Sequence, residues 1–136
     1  MIGRTFPIGR FALTAAMDDR VRALSDAPPR DDDSAHPIFA YIGALHGLSL
    51  PIGDWSRAMG LGFDHGPVLG SCVMEYPGRL RTGQEYDVLA EVTAITRKPS
   101  RRFGQADHAA FVIALAQADS PVSILRFTMI TPVVPA

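Results

Sequence analysis

The chain is poor in the features that would place it quickly. It has one cysteine, Cys72, so no internal disulfide can form, and no Cys or His spacing suits zinc or an iron–sulfur cluster. No metal is expected. Cys72 lies in an apolar run, where a buried thiol is expected. The N-terminal MIGRTFPIGRF lacks the apolar stretch of a signal peptide, and no run approaches the roughly 20 apolar residues of a membrane span. The expectation is a soluble, cytoplasmic chain with no membrane partner. A formal charge of −1 gives no global attraction for nucleic acid. What is present is ordinary globular material, 47% apolar and 20% charged over 136 residues. That suffices for one domain, 1–136, with its own core.

The first half reads as helices and loops. GRTFPIGRFAL surrounds a short apolar patch with turn residues, an edge strand broken by Pro7. Thr14 is placed as a helix N-cap, with Asp18 and Asp19 early and Arg20 and Arg22 later, the order a helix dipole favours. Ala16, Met17, Val21 and Leu24 give the resulting helix, 15–26, a modest apolar face. DAPPRDDDS, 26–34, holds two prolines and four aspartates and reads as a solvated loop. IFAYIGALHGLSL, 38–50, is apolar nearly all round, and Pro37 at the first helical position favours a buried helix over a buried strand. Gly43 and Gly47 weaken that helix by roughly 1 kcal/mol each and permit close backbone approach. PIGDWSRAM supplies a second short helix, capped by Asp54.

The second half reads as strands at 68–76, 85–98, 108–118 and 122–134. DSP, 119–121, joins the last two as a hairpin, and RKPSRRFGQAD is a longer loop. No helical spacer separates the strands, so an antiparallel meander is expected. Such a sheet can wrap the apolar helix and bury it. The strand at 109–116 is apolar on both faces; one face covers the helix and the other meets a second subunit, so a dimer or higher oligomer is expected.

These residues resemble a known family. GRTF, the helix near 15–26, HPIFAYIGALHG as a central helix, and HGPVLGSCVMEYPGRLRTGQEYDVLAEVTAITRK, 65–98, are similar in layout to the hot-dog fold. Within it they resemble the MaoC-like (R)-specific enoyl-CoA hydratases and 3-hydroxyacyl thioester dehydratases. Glu75-Tyr76-Pro77 followed by Leu80-Arg81-Thr82-Gly83-Gln84 is similar to the family's strand end, proline link and turn. The resemblance implies an α+β architecture, an antiparallel sheet wrapped around a central apolar helix. It also implies addition of water to a trans-2-enoyl thioester, or the reverse, by an aspartate and a histidine. Amides at the start of the central helix would polarise the thioester carbonyl. The acyl group would ride on coenzyme A or on the phosphopantetheine of an acyl carrier protein, as in fatty acid or polyketide metabolism, with no other cofactor.

Two registers are open. Asp31-Asp32-Asp33-Ser34-Ala35-His36 resembles the family's Asp-x-Asn-Pro-x-His spacing, without the Asn-Pro; His36 with Asp31 or Asp33 is then the catalytic pair. In the other register His36-Pro37 starts the central helix, as in the N-terminal FAS-type dehydratase halves. Pro37 has no N–H, so Ile38 and Phe39 would supply the amides, with Tyr41 as a further pocket residue. The chain is then a non-catalytic hot-dog subunit forming the acyl pocket for a catalytic partner chain. This second register suits the residues better.

Other candidates rank lower. Asp64-His65-Gly66 reads as a turn, with a pocket role for His65 and Gly66 as the alternative. Arg97, Lys98, Arg101 and Arg102 read as a solvated loop, or else as a site for coenzyme A phosphates or an acidic carrier protein. His46 and Cys72 read as core, and Asp107-His108 as a hairpin closure. Hot-dog thioesterases often carry a carboxylate on the central helix; residues 38–50 contain none, which places thioesterase behind hydratase.

Overall fold

A computed structural model describes residues 4–133. The glycine of GRTF and residue 134 of the last expected strand lie outside these residues. Strands β4 (Gln84–Ser100), β5 (Gly104–Gln117) and β6 (Ser120–Pro132) alternate buried and half-exposed positions along most of their length. One face therefore packs on the core. The β5–β6 turn is Ala118–Asp119, with φ of 48° and 64°, the left-handed pair that a two-residue hairpin requires. It falls just ahead of the expected DSP, and Pro121 sits inside β6 opposite Ala116.

The expected long loop after residue 98 is instead strand. Ser100 pairs with Gly104 across a three-residue turn, closed by the Phe103 N–H donating to Ser100 Oγ at 3.1 Å and by Gly104 at φ +77°. The meander holds for three strands only. The sheet order is β1 (Arg4–Thr5), β4, β5, β6, β3 (Val68–Glu75), with β2 (Gly9–Leu13) also on β4. β3 therefore crosses to pair with β6, not β4, from Val68↔Ile130 to Glu75↔Ile124. β1 and β2 flank Pro7 on one edge, as an edge strand broken by proline should.

The sheet wraps helix α2 (Phe39–His46), which buries Phe39, Ala40, Gly43 and Ala44. Phe111 and Phe127 stack at 4.9 Å within the same core. α2 is shorter than the expected 38–50. Pro37 and Ile38 form a turn before it, and Gly47 closes it by donating its N–H to the Gly43 carbonyl at 2.9 Å. At that end backbone meets backbone: a Cβ on Gly9 would lie 1.9 Å from the Gly47 carbonyl oxygen. Gly47, not His46, therefore closes the core there, and His46 is exposed rather than buried.

Helix α1 (Ala15–Leu24) is capped as expected, Thr14 Oγ1 accepting the Met17 N–H at 3.2 Å. It ends two residues early, and of its expected apolar face only Val21 packs against the core: Leu24 is 81% exposed, and Asp18 is the one residue the helix buries. Helix α3 (Ile52–Ala58) begins at Pro51 without a side-chain cap; Asp54 lies in its first turn and pairs with Arg57 instead. Cys72, expected in the core, is exposed. It sits on β3, an edge strand whose residues after Val68 are all exposed. No helix among the described residues is long and apolar enough to cross a membrane.

Candidate functional site

The start of α2 is held by a circuit of hydrogen bonds. The Ile38 N–H donates to His36 Nδ1 at 3.1 Å, and the Phe39 N–H donates to the His36 carbonyl at 3.2 Å. Both amides expected to hold a thioester oxygen are thus engaged within the chain. The His36 N–H in turn donates to Asp18 Oδ1 at 2.6 Å. Asp18 is fully buried, and its Oδ2 accepts from Arg22 Nε at 2.8 Å and Arg30 Nη1 at 3.0 Å. Burial alone would push this carboxyl up, but the His36 amide, Arg22 and Arg30 together hold it below the ordinary 3.8. Arg22 also donates to the Pro28 and Ser34 carbonyls, at 2.9 and 3.1 Å. Sequence reasoning saw Asp18 only as a helix-dipole charge. The missed signal is an i,i+4 Asp–Arg pair beside an arginine-bearing loop.

The expected acid/base partners do not meet at His36. Asp31 is exposed. Asp33 accepts from Arg81 Nη1 at 2.7 Å, and its carbonyl accepts the Thr82 N–H. Asp32 Oδ1 caps the Ser34 N–H at 2.7 Å, which holds its carboxyl low. These acids tie the loop 31–35 to the segment 79–82, where Ser34 bridges Arg81 and the Ala35 N–H reaches the Leu80 carbonyl.

Two cavities flank α2. At its start, about 240 Å³ is bounded by Ser34, Ala35, Pro37, Tyr76, Arg79 and Leu80. Tyr76 reaches across from the end of β3, its hydroxyl donating to the Pro37 carbonyl at 2.7 Å. Burial, with Cys72 nearby, pushes the Tyr76 phenol up. Further along, an apolar groove of about 170 Å³ runs between Tyr41 and Leu45 on one side and Val68, Leu69, Phe127 and Met129 on the other. Tyr41 lines this groove as expected. His65 is exposed in a short 3-10 turn, Gly66 follows at φ +89°, and both precede the groove wall rather than line it. Asp64 beside them is occupied by Arg57, at 2.7 and 2.8 Å.

The basic cluster lies elsewhere. Arg97 and Lys98 belong to β4 and not to a loop, and Arg97 forks onto Asp107 at 2.9 and 3.2 Å. Asp107, expected at a hairpin closure, is a buried residue inside β5. Arg101 lies in the tight turn, and Arg102 lies over the Phe103 ring. Tyr76 follows Glu75, whose row across the sheet runs through Ile124 and Ala114 to Leu89. Arg97 is therefore eight residues, roughly 26 Å, along β4 from the row that ends beside Tyr76. Besides Arg22 and Arg30, the cations near the start of α2 are Arg79, which lines the cavity, and Arg81, to neither of which the sequence reading gave a binding role. Among the described residues no group of three or more His, Cys, Asp or Glu could hold a metal ion.

No family model and no curated protein matches the chain. Solved structures do. The chain is similar to the ChsH1–ChsH2 complex from Mycobacterium tuberculosis, with a TM-score of 0.68 and 18% identity, covering 98% of this chain and 85% of that one. It is similar to the C-terminally truncated (3R)-hydroxyacyl-ACP dehydratase complex HadBC from the same organism: TM-score 0.66, 15% identity, 91% and 94% covered. A MaoC-like dehydratase from Rhodospirillum rubrum gives a TM-score of 0.58 at 19% identity, with 100% and 95% covered. The architecture is the α+β hot-dog fold, shared with MaoC-like dehydratases, as the resemblance in the sequence implied.

Proposed function

We propose that this chain is a cytoplasmic hot-dog subunit of an acyl-thioester hydratase or dehydratase, forming the acyl pocket for a catalytic partner chain. The carrying observation is the closed circuit at the start of α2. His36 Nδ1 caps Ile38, the His36 carbonyl holds the Phe39 amide, and Asp33 is spent on Arg81. An acid/base pair needs a carboxylate on the ring and a free nitrogen within reach of the reacting atoms; here the nearby carboxylates serve backbone and arginines.

Two further features support a partner chain. β3 presents Leu69, Val73 and Met74 on an unpaired edge, with Tyr76 just beyond, an arrangement that invites pairing with a second strand. Two of the similar folds are complexes by name. In this reading the groove along Tyr41 and Leu45 takes the acyl chain, and Arg79 in the cavity at the start of α2 faces the anionic carrier, coenzyme A or phosphopantetheine.

One observation favours a catalytic reading instead. Because Nδ1 accepts from Ile38, neutral His36 carries its proton on Nε2 and is half-buried, a fixed donor. The test uses the purified chain alone. It is expected to bind butyryl-CoA and to leave the enoyl absorbance of crotonyl-CoA and a longer 2-enoyl-CoA unchanged. Turnover by the lone chain that vanishes in His36→Ala would overturn the subunit reading.

A further inference from the structure

We propose that Asp18 is the positioning residue of the acyl-thioester site: with Arg22 it clamps the wall of the cavity at the start of α2. The proposal rests on the pocket-forming reading above and adds what holds that pocket in shape.

The wall in question is backbone. Ser34, Ala35 and Pro37 line the cavity, in a segment that has no regular secondary structure apart from the bridge of Ser34 to Arg81. Apolar packing alone does not fix such a segment, because its side chains are half-buried or exposed. Two anchors hold it on the side of α1. Asp18 Oδ1 takes the His36 N–H at 2.6 Å, and Arg22 Nη2 donates to the Ser34 carbonyl at 3.1 Å. The two anchors are themselves joined, Arg22 Nε to Asp18 Oδ2 at 2.8 Å. On the other side Leu80 and Arg81 hold the same residues through backbone pairing. The lining residues are thus gripped between α1 and the segment after β3.

The burial pattern of α1 supports the same role. A helix that docked only to cover the core would bury apolar side chains, yet α1 buries Asp18 and leaves Leu24 and Met17 to solvent. A buried carboxylate is costly unless every lone pair is used. Here one oxygen serves the wall and the other serves two guanidinium groups, Arg22 and Arg30. From Asp18 the chain of contacts continues through His36 to Ile38, where His36 Nδ1 receives the Ile38 amide. Asp18 touches no ligand in this account and acts through residues 34–38.

The experiment compares the full-length wild-type chain with Asp18→Asn, Arg22→Lys and Arg22→Ala. Hydrogen exchange is resolved to the 34–38 segment, and butyryl-CoA is the binding probe. Losing one charge-assisted hydrogen bond weakens butyryl-CoA binding by roughly ten- to a hundredfold. Exchange at 34–38 should rise by a comparable factor over and above the uniform rise that any loss of global stability brings to β4, β5 and β6. Arg22→Lys, which keeps the charge but not the fork, should fall between wild type and Arg22→Ala. A merely structural role would instead speed exchange at 34–38 and across the sheet by the same factor, and that result overturns the proposal. So does unchanged exchange at 34–38 in a folded Asp18→Asn chain. If the wild-type chain does not bind butyryl-CoA, the pocket-forming reading fails by itself. The clamp is then judged on the 34–38 exchange alone, a local rise sustaining it and no change removing it.

Discussion

Helix α2 buries Phe39, Ala40, Gly43 and Ala44, whereas helix α1 buries one residue, and that residue is an aspartate. The two helices are fastened by different forces. α2 is held by apolar area removed from water, a term that is additive and non-directional. α1 is held by a few directed bonds around Asp18, in which each partner depends on the others. A non-directional fastening can lose a methyl group and repack. A directed one fails when a single acceptor is removed, because the His36 amide loses its acceptor and Arg22 its carboxylate.

The largest effect should come from breaking the apolar side of this comparison. Phe39 is 1% exposed and belongs to the central aromatic cluster, 6.3 Å from the Phe11 ring. Phe39→Ala should cost about 3–5 kcal/mol, a large part of the roughly 5–15 kcal/mol by which such a domain is stable. Urea unfolding followed by Trp55 fluorescence would measure it. A cost under about 1 kcal/mol would mean that α2 is not packed as described.

The next effect breaks the charged side, and its signature is pH. Asp18 titrates below its ordinary 3.8 when folded: burial pushes it up, but the His36 amide and the two arginines prevail. A lowered folded value means that the carboxylate stabilises the fold fully above 3.8 and loses that contribution as pH falls through the lowered value. Asp18→Asn should therefore cost about 1.5–3 kcal/mol at neutral pH. It should also remove part of the acid limb, so that wild type and variant converge in stability as pH drops below 3.8. Curves that stay parallel down to the acid transition would show that Asp18 is not the titrating anchor.

The same contrast governs what the sequence disclosed. Apolar runs between turn residues announced β4, β5 and β6, and an all-round apolar stretch announced α2, because burial leaves its mark on the residues buried. Partners of directed bonds leave no such mark. Asp18 stands eighteen residues before His36, and nothing in the local pattern says that they meet. Tyr76 and Pro37 meet across a still longer interval. The errors at Cys72 and His46 share a cause: each sits in an apolar run, but which side of an edge strand or helix end is covered depends on sheet order. β3 crossing to β6 decided that for Cys72. The loop expected after residue 98 is strand because a three-residue turn, with Gly104 at positive φ, lets the pairing of β4 and β5 run on to Ser100 and Gly104.

The smallest effect sharpens the comparison most. Leu24 is the most apolar residue of α1's last turn, yet it is 81% exposed. If α1 is fastened by Asp18 with Val21 as its one apolar contact, Leu24→Ser should change stability by no more than about 0.5 kcal/mol, the ordinary range for a surface substitution. Val21, half-buried against the core, should cost more when replaced by Ser, since it carries the only apolar contact of the helix with that cluster. The pair of urea titrations therefore separates two ways of holding one helix. A Leu24→Ser cost above about 1 kcal/mol in the isolated chain would return α1 to the apolar class. The same cost appearing only when a second hot-dog chain is present would place α1's outer face in the subunit contact, and would leave Asp18 as the fastening within the chain.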